Sequence, residues 1–159
     1  MTDKRGHADI VSLPVSAIMS RPVFTITTDV VLANALMAMV RTGRRHLAVV
    51  DARDLCVGVI GDRALAAAWA SDPTALAVMC VHHLLDARPS VVGLDATVGD
   101  VARRMHGDAV DAVVVIDSTG VPAGMITGSD LIGLMATTVS GQLAATPEET
   151  ERTVEPQEP

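Results

Sequence analysis

Gly124-Met125-Ile126-Thr127-Gly128-Ser129-Asp130-Leu131 is the stretch on which the reading of this chain turns. Its first half has the character of a buried strand and its middle that of a tight turn. Its end opens an apolar helix through Leu131, Ile132, Leu134 and Met135. A helix that begins where a strand ends points its unpaired N–H groups outward, at the positive end of its macrodipole, so such a turn suits a phosphate. Thr127 adds a hydroxyl and Asp130 a carboxylate. The same Thr127-x-x-Asp130 spacing is also that of a capping box, in which both side chains serve only the helix's own N–H groups. One copy of the motif leaves both readings open.

Working outward, the chain registers on itself at an offset of 66 residues without a gap. Val15-Ser-Ala-Ile-Met19 lies over Val81-His-His-Leu-Leu85, Asp29 over Asp95 and Met39 over Met105. Val49-Val50-Asp51 lies over Val115-Ile116-Asp117, Gly58-Val59-Ile60 over Gly124-Met125-Ile126, and Leu65 over Leu131. Two copies at so long a period predict a paired module rather than a solenoid. Each copy reads as a leading segment, a strand, an apolar helix, two strands joined by a polar turn, and a closing helix. In copy one these are predicted at 23–26, 31–41, 47–50, 57–60 and 63–70. In copy two they are predicted at 91–92, 98–105, 112–116, 123–126 and 130–137. Thr28 and Asp29 are the N-cap candidates of the first helix, whose buried face is predicted to carry Leu32, Ala35, Leu36 and Met39. Asp51-Ala-Arg-Asp54 and Asp117-Ser-Thr-Gly120 have turn composition. A connecting helix is predicted from Thr74 to about Leu85, with Pro73 in its first turn.

The order of these motifs resembles the cystathionine β-synthase (CBS) domain, and the tandem resembles a CBS pair, or Bateman module. The pattern is V-x-x-I-M, x-P-x-x-T, an Asp, an apolar helix, h-x-V-V-D, a turn, and G-h-I-T-x-x-D-L. It covers about residues 15–138. The resemblance implies an α/β fold of α+β type, with two pseudo-twofold related β-α-β-β-α repeats packed as one module. The chain then divides into an N-terminal arm (1–14, expected mobile), repeat one (15–72), a connecting segment (73–80), repeat two (81–138) and an acidic tail (139–159, expected disordered).

In CBS domains that bind adenosine compounds, the final Asp takes the ribose hydroxyls, while the Thr or Ser and nearby backbone meet phosphate. By resemblance those roles fall to Asp130 and to Thr127, Gly128 and Ser129. The family's flanking strands imply Val91 and Val92 on one side of the base and Ala112 and Val113 on the other, with Ile126 adding apolar surface. Copy one departs from the pattern: Gly61 offers no hydroxyl, Ala64 no carboxylate, and Asp62 would face a phosphate. An unpartnered polar group costs about 1 to 3 kcal/mol, so a single competent site, in copy two, is expected. Val91 also stands where copy one has Thr25, which removes a side-chain contact. Arg44, Arg45 and His46 are candidates to reach that site across the pseudo-twofold axis, with a solvated face as the alternative reading. Thr97-Val-Gly-Asp100 is a further capping box and is read as structural.

Composition bounds the rest. The chain has 159 residues, 49% of them apolar, with mean hydropathy +0.38, enough for one compact core. The uncharged run Val30 to Val40, between Asp29 and Arg41, is too short to span a bilayer. Lys4 and Arg5 are followed by polar residues rather than a signal-like apolar stretch, so a cytoplasmic protein without membrane association is expected. Net charge is −7, but all five Glu lie after position 147. Before that tail 11 Lys or Arg face 14 Asp. With no dominant basic stripe, and Phe24 and Trp69 the only aromatic residues, nucleic-acid binding is not expected.

Cys56 reads as a small buried residue. Cys80 begins Cys-x-His82-His83, but no second ligand pair at zinc spacing follows, so no metal is assigned. His82 and His83 read as surface residues. No nucleophile–base pair, nucleophile elbow or P-loop is present, so no catalytic residue is assigned and a non-enzyme is expected.

Two functions follow as expectations. The first is a regulatory sensor that binds AMP, ADP, ATP or S-adenosylmethionine mainly in repeat two, requires no cofactor, and acts through the geometry of a homodimer. The second is a ligand-free scaffold that binds a partner protein. Thiol sensing by Cys56 and Cys80 is a third, weaker idea.

Overall fold

The structure, a computed structural model, describes residues 10–144, the last four through their backbone alone. Residues 1–9 of the expected arm and 145–159 of the expected tail lie outside the described residues. Repeat one comprises β1 (Thr25–Thr27), α1 (Leu32–Thr42), β2 (His46–Val50), β3 (Cys56–Gly61) and α2 (Asp62–Ser71); a short α3 (Ala75–Val78) follows. Repeat two comprises β4 (Val91–Gly93), α4 (Val98–Asp108), β5 (Ala112–Ile116), β6 (Pro122–Thr127) and α5 (Gly128–Ala144). Each strand, and α1 with α4, recurs at the 66-residue offset to the residue. The fold is α/β, with two three-stranded sheets.

In each sheet the first strand pairs parallel to the second across the helical crossover, and the second pairs antiparallel to the third. Strand alternation then divides the side chains between two layers. Leu47 and Val49 of β2 point into a core with Leu32, Ala35 and Met39 of α1. Val113 and Val115 of β5 point into the matching core with Val101 and Met105 of α4. The residues between them, Ala48 and Val114, meet each other and Met125 where the two sheets pack. The central strands are buried on both faces, which is why they read as unbroken apolar runs.

The leading segments are exchanged. A 3-10 turn at Val15–Ala17 puts Val15 and Met19 into the core of repeat two, and another at Val81–Leu84 puts Val81 into the core of repeat one. Ser20 bridges Met125, with its N–H donating to the Met125 carbonyl at 2.8 Å. Pro14 bridges Thr97, and Val98 N–H donates to the Leu13 carbonyl at 2.8 Å. Glycine makes room for this: a Cβ on Gly124 would lie 2.8 Å from Met19 Cγ, and one on Gly58 would lie 2.8 Å from Leu85 Cδ2.

Several boundaries differ from the sequence reading. The connecting helix predicted over 74–85 is two pieces, because Met79 and Cys80 are extended: Cys80 bridges Val31, and the Met79 carbonyl accepts Leu32 N–H at 2.9 Å. Pro73 lies before the helix rather than in its first turn. Thr28 and Asp29 form a turn after β1 and Val31 itself is extended in that bridge, so α1 starts beyond them and has no side-chain cap. Thr27 Oγ1 donates to Asp29 instead, at 2.6 Å. β1 starts at Thr25, later than predicted; the Phe24 carbonyl still accepts the Ala48 N–H at 3.1 Å, and Val23 and Phe24 line the cleft described below. The closing helix runs on to Ala144, with no proline before Pro147, and the hydroxyls of Thr137, Thr138 and Ser140 donate to its own carbonyls. Among the described residues no helix is long and apolar enough to cross a membrane.

Candidate functional site

The turn from β6 into α5 lies at the rim of a cleft of about 430 Å³ between the two repeats. Thr127, Gly128, Ser129 and Asp130 form one wall. Arg44, Arg45 and His46, from the segment joining α1 to β2, form the other. Val23, Phe24 and Met125 supply apolar surface, and Asp111 completes the rim. The structure therefore brings seven of the sequence-predicted site residues together: Thr127, Gly128, Ser129, Asp130, Arg44, Arg45 and His46.

Val91, Val92, Ala112 and Val113 are not among them. Val113 and Ile126 point into the helix-side core and are fully buried. Val91 and Val92 line a separate shallow groove, and Ala112 borders a second cleft of about 200 Å³ beside the β3–α2 turn. The pseudo-twofold axis explains this: the segment leading into each sheet faces the turn of the other repeat. Val23 and Phe24 consequently serve the Thr127 turn, while Pro89 and Ser90 serve the copy-one turn at Gly61. Sequence reasoning placed Asp111 on a strand flanking the ligand but missed Phe24. The axis already invoked for Arg44 to His46 was the signal that could have found it. An aromatic ring is thus available in the cleft, with the Arg44 guanidinium 5.8 Å from its centroid.

Asp130 has a double position. Its Oδ2 accepts Thr127 N–H at 2.8 Å and the Thr127 hydroxyl at 3.2 Å, so the capping geometry is real. Thr97 and Asp100 show the same contacts at 2.9 and 3.0 Å, but there Arg103 takes the second carboxylate oxygen at 2.6 Å. Among the described residues no group takes Oδ1 of Asp130, and the residue lines the cleft.

Copy one shows why its own turn departs from the pattern. His46 faces Gly61 across β2 and β3 as Ala112 faces Thr127 across β5 and β6. A Cβ on Gly61 would lie 3.0 Å from His46 Cδ2, so the imidazole would have to give way by a few tenths of an ångström for a side chain there. The ring then reaches over to repeat two, with Nε2 3.1 Å from Asp111 Oδ1. Arg45 Nε donates to Asp62 Oδ2 at 2.8 Å; this bond lowers the Asp62 pKa and raises that of Arg45.

The remaining candidates stand apart from the cleft. Burial pushes the Cys56 thiol pKa up. His83 Nδ1 accepts the Cys80 N–H at 3.1 Å, and His82 Nδ1 lies 3.1 Å from the Thr28 carbonyl oxygen. Among the described residues no three His, Cys, Asp or Glu side chains gather as a metal site.

Two β-α-β-β-α repeats, back to back on a pseudo-twofold axis with a cleft between their turns, define a paired α/β module. The chain belongs to the CBS domain family, whose sequence profile matches residues 15–71 and 81–137. Solved structures share the fold. The CBS domain pair of protein MJ0100, in complex with 5′-methylthioadenosine and S-adenosyl-L-methionine, is 22% identical with a TM-score of 0.69, covering 79% of this chain and 98% of its own. A Vibrio cholerae protein described as an acetoin utilization protein (AcuB) is 24% identical with a TM-score of 0.67, covering 86% and 99%. The CBS domain of a bacterial CNNM/CorC family Mg2+ transporter is 20% identical with a TM-score of 0.66, covering 80% and 78%. At these identities the likeness is one of fold. No curated protein sequence matches the chain.

Proposed function

We propose that this chain is a non-catalytic, cytoplasmic sensor module that binds an adenosine compound in the cleft beside Thr127 to Asp130. It signals through the geometry of a homodimer. The observation that carries the reading is the convergence of the Asp130 carboxylate, one oxygen still unpartnered among the described residues, with Arg44, Arg45 and Phe24 in one cleft. Asp130 Oδ1 takes the ribose hydroxyls, Phe24, Val23 and Met125 offer a surface for the base, and the basic side meets the tail. The methylthioadenosine and S-adenosylmethionine of the MJ0100 pair support the ligand class.

The second reading, a scaffold that binds a partner protein, is favoured by the turning of Asp130 back onto Thr127 and by the filled turn of copy one. Thermal unfolding with AMP, ADP, ATP, S-adenosylmethionine and guanine nucleotides, on the wild type and Asp130→Ala, separates the two. Saturation at 100 times Kd stabilises by about 2.7 kcal/mol, a shift of several degrees. The sensor predicts such a shift for an adenosine compound and its loss in the variant. No shift in a well-folded protein leaves the scaffold standing.

A further inference from the structure

One of the cleft's two guanidinium groups, Arg45, is committed to a carboxylate, while that of Arg44 lies over the Phe24 ring. Arg45 Nε donates to Asp62, and Asp62 N–H donates to the Arg45 carbonyl at 2.9 Å, so the two residues close a ring. Asp62 opens α2, where the helix macrodipole also favours a carboxylate. The opposite turn has no such arrangement: Gly128 stands at the position equivalent to Asp62 and Asp111 at that of Arg45, with only the Gly128 N–H to Asp111 carbonyl bond kept, at 2.9 Å. Arg44, Arg45, Asp111 and Asp130 line the cleft, while Asp62 lies outside the lining and pairs with Arg45, so three carboxylates stand in or beside the cleft against two guanidinium groups.

A polyphosphate needs cations without partners, and here it meets Asp111 and Asp130 and must compete with Asp62 for Arg45. A neutral tail meets no such opposition. A zwitterionic tail finds Arg45 Nη donors for its anion and Asp111 or Asp130 for its cation. Resting on the adenosine reading above, we propose that Asp62 is a specificity-determining residue. It acts as an internal counter-ion on Arg45, and weights the cleft toward adenosine compounds with neutral or zwitterionic tails and against polyphosphates. Asp62 itself need not touch the ligand; it sets the charge that the ligand's tail encounters.

Calorimetric titration without divalent cations tests this, using adenosine, S-adenosylmethionine, AMP and ATP on the wild type, Asp62→Asn and Asp62→Glu. The wild type should bind ATP no more tightly than adenosine. Asp62→Asn should tighten ATP by about tenfold while moving adenosine much less, as removal of one nearby charge predicts. Asp62→Glu should keep the wild-type order. The proposal is overturned if the wild type binds ATP more than about tenfold tighter than adenosine, or if Asp62→Asn moves both ligands equally. Adenosine binding with either of those results sinks this inference alone. Absence of binding by every compound to every variant sinks the adenosine reading and this inference with it.

Discussion

His46 and Gly61 are a large and small pair at the place where Ala112 and Thr127 are a small and large one. The backbone does not require glycine at position 61, since its φ of −116° is ordinary extended geometry. What crowds a side chain there is the imidazole opposite, 3.0 Å from where a Cβ would stand. Gly61→Thr should therefore cost about 1 to 3 kcal/mol by overpacking, measured by urea denaturation. In a His46→Ala background most of that cost should vanish, and equal costs in both backgrounds would refute the steric account. The sequence announced the missing hydroxyl at 61 but not its cause, because residues 15 apart become neighbours only once the strands are in register. Asp130 reads from the sequence as a cap or as a site residue; the structure shows its Oδ2 capping Thr127 and the residue lining the cleft.

At the level of the element, the 66-residue offset made strand order and helix placement readable, because apolar runs and polar turns recur in phase. Asp51 and Asp117 each accept two backbone N–H groups at equivalent turns, as their composition implied. The misread elements are those shaped by contacts between repeats. Met79 and Cys80 break the expected helix where Cys80 bridges Val31, and the side chains of Val23 and Phe24, just ahead of β1, line the cleft. Gly58 and Gly124 belong to this level, each leaving space for the other repeat's leading segment. Gly124→Ala should destabilise by about 1 to 3 kcal/mol, and by more than Gly58→Ala. Met19 crowds position 124 down to its Cβ at 3.1 Å, whereas only the tip of Leu85 crowds position 58. Chemical denaturation of both variants checks the order.

Taken whole, the molecule leaves apolar stripes on its helices. Ile132, Met135 and Val139 stand exposed at helical spacing along α5, Met37 and Val40 along α1, and Trp69 on α2. The homodimer proposed above would cover these faces, and the expected mass by light scattering is that of two chains. Trp69, the only tryptophan, should shift its emission to the red on dilution as the dimer parts. A mass of one chain with an unmoved emission maximum would remove the dimer. The exchanged leading segments carry a consequence for descent. An ancestor of half this length would have held a Val-and-Met hook with no slot of its own, beside a slot with no hook. Two identical copies hooking one another satisfy both. Joining two such genes end to end preserves that embrace while releasing each half from identity. One turn was then free to fill with an imidazole while the other stayed open.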